Sequence, residues 1–213
     1  MKRPHVIINC AMTADGKIAQ SSGAQLKISC EEDMRRVYQL RNESDAVLVG
    51  INTVLTDDPK LTVKEKYVKN PKQPLRVVLD SKCRTPVDSL VVNDVAKTLI
   101  FTSRKADKKY PSNVELIICD TDKDGLIDLE KMLLILSEKG IKKLMVEGGS
   151  TVIHNFLKSG LVDDFYVYIG SMILGDKNAP SLINSENFEK IISLKLIDVK
   201  KIGEGLLVHH RLV

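Results

Sequence analysis

The stretch Lys142 to Gly160, KKLMVEGGSTVIHNFLKSG, constrains the chain most, because it reads as a strand, a glycine turn and a helix in direct succession. Leu144 to Val146 form a short apolar run that ends at Glu147, and Gly148-Gly149 can take backbone angles closed to other residues. Ser150 and Thr151 supply capping side chains, and apolar residues at 152, 153, 156 and 157 mark one helical face that stops at Gly160. Free N–H groups at such a helix start attract a phosphate, although an ordinary strand-to-helix connection fits the local pattern as well. Glu147 is placed at the carboxyl end of a strand, where open α/β sheets put their ligand sites.

The remaining pattern repeats this alternation. Val6 to Met12 is an apolar run leading into the turn Thr13-Ala14-Asp15-Gly16-Lys17, and the polar segment Gln20 to Gln25 reads as a mobile loop. Three acids at 31–33 open a helix whose apolar residues Met34, Val37 and Leu40 run at spacing three. Asp45 to Val49, Leu75 to Leu79, Thr98 to Phe101 and Val114 to Cys119 are further strands, and Ile51 to Leu55 is a short helix stopped before Pro59. The lysine- and proline-rich region 64–74 is a surface loop. Leu129 to Glu138 is a helix, Asp164 to Ile169 a strand, and Leu194 to Ile202 with Leu206 to Val213 a C-terminal hairpin across Gly203-Glu204-Gly205. The expected fold class is therefore α/β, with a mainly parallel central sheet, helices on both faces and an antiparallel C-terminal hairpin at one edge. Nothing marks a domain boundary, so residues 1–213 are expected to form a single domain.

Composition narrows the classes. Cys10, Cys30, Cys83 and Cys119 have no C-x-x-C pair, which predicts free thiols and no metal site. The net charge of +4 is interspersed and there is no Trp, so small phosphorylated ligands are expected and nucleic acid is not. No apolar run reaches the ~20 residues of a membrane span, and the amino-terminal residues lack the apolar core of a signal peptide, so a cytoplasmic protein is expected. Asp120 to Asp128 matches the first nine positions of a calcium loop, but Lys131 stands where a bidentate Glu should close it. The alternative is an acidic turn that caps the 129–138 helix. The four histidines show no ligand spacing and receive no role.

Five blocks in this order, Thr13-Ala-Asp15-Gly16-Lys17, Asp45 to Gly50, Thr53 to Thr62, Leu79-Asp80-Ser81 and Glu147 to Thr151, closely resemble the riboflavin-biosynthesis reductase family, whose fold is like that of dihydrofolate reductase. The resemblance implies NADPH-dependent reduction of a ribosylaminopyrimidine 5′-phosphate to its ribitylamino form, with NADH as the other possible cofactor. The deaminase motifs H-x-E and P-C-x-x-C are absent from the sequence, so it is similar to the stand-alone type acting on 2,5-diamino-6-ribosylamino-4(3H)-pyrimidinone 5′-phosphate. Carried over residue by residue, the resemblance implies Lys17, Asp57 and Glu147 as catalytic groups. Cofactor contacts fall on Ala11, Thr53, Asp57, Asp80, Ser81, Arg84 and Gly148, Gly149, Ser150 and Thr151, with Arg84 and Arg104 as candidates for a 2′-phosphate. Substrate contacts fall on Ser29, Arg41, Leu61, Lys64 and Glu147. A homodimer is implied as well. The competing readings are a reductase of the deaminated pyrimidine, dihydrofolate reductase itself, and a nucleotide-binding module without catalysis.

Overall fold

The computed structural model describes residues 2–22, 26–105, 107–183 and 191–213. The final three positions of the Gln20 to Gln25 loop, 23–25, lie outside them. The chain divides into two compact units interleaved in sequence, one holding residues 2–5 and 39–145 and the other Val6–Tyr38 with Val146–Val213.

In the first unit the strands β2 (Ala46–Gly50), β3 (Leu75–Leu79), β4 (Thr98–Thr102) and β5 (Val114–Ile118) pair in order and all run parallel. β2 and β4 are buried along their whole length, as the unbroken apolar runs AVLVG and TLIFT require of strands covered on both sides. α2 (Ile51–Asp57) follows β2 directly, and α3 (Leu129–Glu138) buries Leu129, Met132, Leu133 and Leu136, a helical stripe. The Asp128 carboxylate accepts a hydrogen bond from the Lys131 N–H at 3.1 Å, so the acidic turn does cap this helix. Lys131, at the position that departs from a calcium loop, places its ammonium 2.6 Å from the Asp120 carboxylate.

One feature of this unit had no signal in the sequence. Arg76 on β3 is fully buried, and neutral acceptors surround its guanidinium: Thr98 Oγ1 at 2.9 Å, Asn93 Oδ1 at 2.8 Å, the Leu90 carbonyl at 3.3 Å, and the carbonyls of Asn93 and Ala96. Burial lowers its pKa to about 10, with Asp94 acting in the opposite sense. The guanidinium thereby ties down the segment around a 3₁₀ turn, Leu90–Val92.

In the second unit β1 (His5–Thr13, of which Val6 onward belongs here) pairs parallel with β7 (Asp164–Gly170). β7 pairs antiparallel with β9 (Gly205–Leu212), and β9 with β8 (Leu194–Ile202). This is the expected hairpin, with an added irregularity between Leu196 and Asp198. Its outer residues Leu194, Leu196, Val199 and Leu206 are exposed. α4 (Ser150–Lys158) buries Ile153, Phe156 and Leu157. Besides β1, two elements cross the division of the chain: α1 (Glu31–Glu43) and β6 (Lys143–Gly148). All four cysteines are free thiols, as expected. No described helix is long and apolar enough to cross a membrane.

Candidate active site

Many of the candidate residues lie at or just beyond strand ends. In the first unit β2 hands over to α2 at Gly50, which brings Thr53 and Asp57 onto one short helix. Asp57 closes it, and the surrounding protein displaces enough water to push its carboxyl pKa up. Asp58 follows with left-handed backbone (φ 41°), and its carboxylate accepts a hydrogen bond from the Leu90 N–H at 2.7 Å. The segment held by Arg76 thus grips the end of α2. Leu61 has φ 51° and a side chain only 1% exposed, so what it can present to a ligand is backbone. Arg41 donates to the Thr62 carbonyl at 3.1 Å. Lys64 is exposed, and its carbonyl accepts from the amides of Tyr67 and Val68.

After β3 the chain makes a second such turn. Asp80 is fully buried and its carboxylate accepts from the Thr85 N–H at 2.7 Å and the Thr85 hydroxyl at 2.8 Å. The Asp80 side chain therefore shapes the 80–85 turn from within. Outside that turn stand Ser81, whose carbonyl accepts from the Ser103 N–H (3.1 Å) and hydroxyl (2.8 Å), and Arg84, which donates to Asn52 on α2 at 3.2 Å. Arg84 is about half exposed, with Nε 4.0 Å from the Asp80 carboxylate. It carries a cation beside the start of α2, while Arg104 is exposed beyond β4.

In the second unit β6 delivers Glu147, half-buried, directly before the glycine turn. Gly148 has φ +122°, which side chains rarely adopt, and the Gly148-Gly149 peptide is cis. Ser150 and Thr151 were expected as caps; the cap is Gly149, whose backbone is extended (φ −74°, ψ −167°) and which has no side chain to bond the first-turn amides. The helix starts one residue earlier than the serine signal suggests, so Ser150 and Thr151 lie in its first turn. A helix start without a side-chain oxygen at its cap fits an anionic group from outside, as the pyrophosphate of a dinucleotide would supply.

Lys17 ends the turn that follows β1. Thr13 Oγ1 accepts from the Lys17 N–H at 2.9 Å, and the Thr13 N–H donates to the Lys17 carbonyl at 2.8 Å. Gly16 at φ +80° lets the chain reverse between them. The Lys17 ammonium donates to the Ala179 carbonyl at 3.0 Å. Ala11 lies half-buried on β1, next to Tyr168 across the pairing, and Ser29 sits half-buried just before α1. The site signals that sequence reading missed are Asp15, Asp58 and the 172–182 segment, because their partners are far away in the chain.

Among solved structures, the chain superimposes with a TM-score of 0.86 on a diaminohydroxyphosphoribosylaminopyrimidine deaminase/5-amino-6-(5-phosphoribosylamino)uracil reductase from Thermotoga maritima, at 30% identity over 99% of this chain and 57% of that one. It thus spans little more than half of that two-activity protein. The riboflavin biosynthesis reductase of Saccharomyces cerevisiae shares the fold at a TM-score of 0.82, with 24% identity, covering 99% of this chain and 90% of that one. The fold is that of the dihydrofolate-reductase-like reductases, an α/β class of oxidoreductases. Residues 4–208 match the RibD C-terminal domain, and the chain belongs to that family. Two curated relatives, from Archaeoglobus fulgidus and Methanothermobacter thermautotrophicus, are each 42% identical over 98% of both chains. Both are named 2,5-diamino-6-ribosylamino-4(3H)-pyrimidinone 5′-phosphate reductase.

Proposed function

We propose that the chain reduces the ribosyl side chain of 2,5-diamino-6-ribosylamino-4(3H)-pyrimidinone 5′-phosphate to the ribitylamino product with NADPH, acting as one reductase domain over residues 1–213 in the cytoplasm. The observation that carries this reading is identity: two relatives named for the diaminopyrimidine substrate are each 42% identical to this chain, against 30% for the T. maritima protein. The T. maritima protein is named a 5-amino-6-(5-phosphoribosylamino)uracil reductase, and reduction of that deaminated compound is the second reading.

Reduction requires the ribosylamine ring to open. The bond from C1′ to the ring oxygen breaks, that oxygen gains a proton, and the attached nitrogen loses one, leaving a C1′=N imine. NADPH, when bound, would supply a hydride for C1′, and the nitrogen takes back a proton to give the ribitylamine. The chain must then move protons and hold charge. Lys17, with one ammonium hydrogen on the Ala179 carbonyl, keeps two for substrate oxygens. Asp57, whose pKa is raised, is suited to hold a proton nearer neutrality than an ordinary carboxylate. Glu147 is assigned to the sugar hydroxyls. The first-turn amides of α4 and the hydroxyls of Ser150 and Thr151 are assigned to the cofactor pyrophosphate, and Thr53, Ser81 and Ala11 are assigned to further cofactor contacts by the family resemblance. Arg84, held by Asn52, is the donor assigned to a 2′-phosphate, where bidentate contacts favour NADPH over NADH. Arg41 and Lys64 are assigned to the substrate phosphate, and the backbone of Leu61 and Ser29 to the pyrimidine end.

A homodimer is part of the proposal. The exposed apolar residues Leu194, Leu196, Val199 and Leu206 of the hairpin support it, since edge strands of this kind are usually covered. The test is steady-state oxidation of NADPH and of NADH with the amino and the deaminated substrate. Turnover with the amino compound supports the first reading; turnover confined to the deaminated compound selects the second.

A further inference from the structure

Asp15 sits at the tip of the turn between β1 and Lys17, is exposed, and yet is among the most heavily bonded carboxylates in the second unit. It accepts from the Thr13 hydroxyl at 2.6 Å, the Leu174 N–H at 3.1 Å and the Gly175 N–H at 2.9 Å. Two of these donors lie about 160 residues further along the chain. The contacts continue on either side. Ala14 N–H donates to the Met172 carbonyl (2.8 Å), Ile18 N–H to the Pro180 carbonyl (3.0 Å), and Leu182 N–H to the Gly16 carbonyl (3.2 Å). Lys17 and Ser181 form an antiparallel bridge. The 172–182 segment therefore lies as a strap along the turn, and its inner face ends in Ala179, 4% exposed, whose carbonyl holds the Lys17 ammonium. Asp176 within the strap is tied to the Asn178 N–H at 2.9 Å and lies near enough to Lys17 to feel its charge.

A lysine side chain has four rotatable bonds and places its charge loosely unless something fixes it. Here the ammonium has a carbonyl partner, and that carbonyl is only as well placed as the strap. Met172 packs against the Ile28, Tyr168 and Leu207 cluster and anchors the start of the strap, whereas Ile173 is 75% exposed, so beyond Met172 the seat of the strap draws on the hydrogen bonds to the turn. A carboxylate is the group that can accept from both Leu174 and Gly175 while also taking the Thr13 hydroxyl; an amide has one oxygen for three donors. We propose that Asp15 is a positioning residue for Lys17: its carboxylate latches residues 174–175, and the latched strap presents the Ala179 carbonyl that aims the ammonium. The consequence for turnover rests on the reductase reading; the consequence for Lys17 does not.

The test uses the full chain and its Asp15→Asn and Asp15→Glu variants. Lys17 accessibility is read as the rate of modification by an amine-acylating reagent, by mass spectrometry, beside amide hydrogen exchange at Leu174 and Gly175. Asp15→Asn is expected to raise both Lys17 acylation and exchange at these amides about tenfold. It should lower kcat about tenfold with the KM for NADPH unchanged, at a melting temperature close to that of the parent chain. Asp15→Glu, which keeps two acceptor oxygens, should recover part of the Lys17 protection. Open strap amides with unchanged Lys17 acylation overturn the proposal, as do amides that stay protected in Asp15→Asn. Absence of turnover in the unaltered chain with either pyrimidine overturns the reductase reading instead, while acylation and exchange still decide the role of Asp15.

Discussion

Two strand-end turns, one in each unit, are each organised by an aspartate, and they use it in opposite ways. After β3, Asp80 is fully buried and bonds only five residues ahead, to both donors of Thr85. After β1, Asp15 is exposed and bonds across about 160 residues to Leu174 and Gly175. The first carboxylate closes the turn it belongs to, which Ser103, Lys108 and Tyr110 then bind from outside through the carbonyls of Ser81 and Thr85. The second has its shape completed by another part of the chain. A strapped turn makes a side-chain position that depends on a distant segment staying in place. On the reading proposed above, the first is expected to act on stability and the second on turnover.

The largest effect that sharpens this contrast is expected at the end of the strapped turn. Lys17→Ala should lower the rate of NADPH oxidation by about 10²–10⁴-fold, the range for removing a positioned proton-transfer group, with cofactor affinity kept. Glu147→Gln should fall in the same range. Stopped-flow or steady-state absorbance of NADPH checks both, and unchanged turnover in the two variants would remove them from the site.

Asp80→Ala is expected to act on folding. It leaves two buried donors of Thr85 without an acceptor, a loss of about 3 kcal/mol. Urea denaturation of the variant, compared at equal m-value, measures it. A change below about 0.5 kcal/mol would mean that the buried turn is not what the carboxylate supports.

The pH dependence of the latch comes next. The Thr13 hydroxyl, followed by the Gly175 and Leu174 amides, lowers the Asp15 pKa to about 2. A depressed carboxylate contributes its stabilisation above its unfolded pKa, about 3.9, and loses it as pH falls through the folded value. After correction for intrinsic exchange, protection of the Leu174 and Gly175 amides should therefore hold constant above about pH 4 and decline from there toward pH 2. A decline already complete by pH 5 would point to a different group.

The smallest effect sets the scale for a purely local aspartate. Asp128→Ala removes the cap of α3 and should cost about 1 kcal/mol, with turnover unaffected.

Much of the fold was legible because its strands are continuous apolar runs: β3 and α3 begin and end where the pattern places them, and the hairpin follows from its glycine turn. The start of α4 was misplaced by one residue, because a glycine can hold the cap position with no side-chain signal while the serine beside it resembles a cap. Arg76 was invisible for another reason. Its acceptors are backbone carbonyls, an asparagine and a threonine 14 to 22 residues away, so no charged acceptor in the sequence announces that it is buried. The pairing of His209 with Asp164 at 2.7 Å was hidden likewise, since the partners come from neighbouring strands 45 residues apart. At the site, Lys17, Glu147 and the glycine turn stood out through the ordered blocks that match a family. The strap over Lys17 did not, because 172–182 has neither a periodic pattern nor a motif, and its meaning comes from what it touches.

The most direct measurement is NADPH oxidation by the purified chain with the diaminopyrimidine ribosylamine phosphate, run beside the deaminated compound and beside Lys17→Ala. The account predicts turnover with the amino substrate, a ribitylamino product with one pyrimidine formed per NADPH consumed, and its loss in the variant. NADPH binding with no oxidation on either substrate would contradict it.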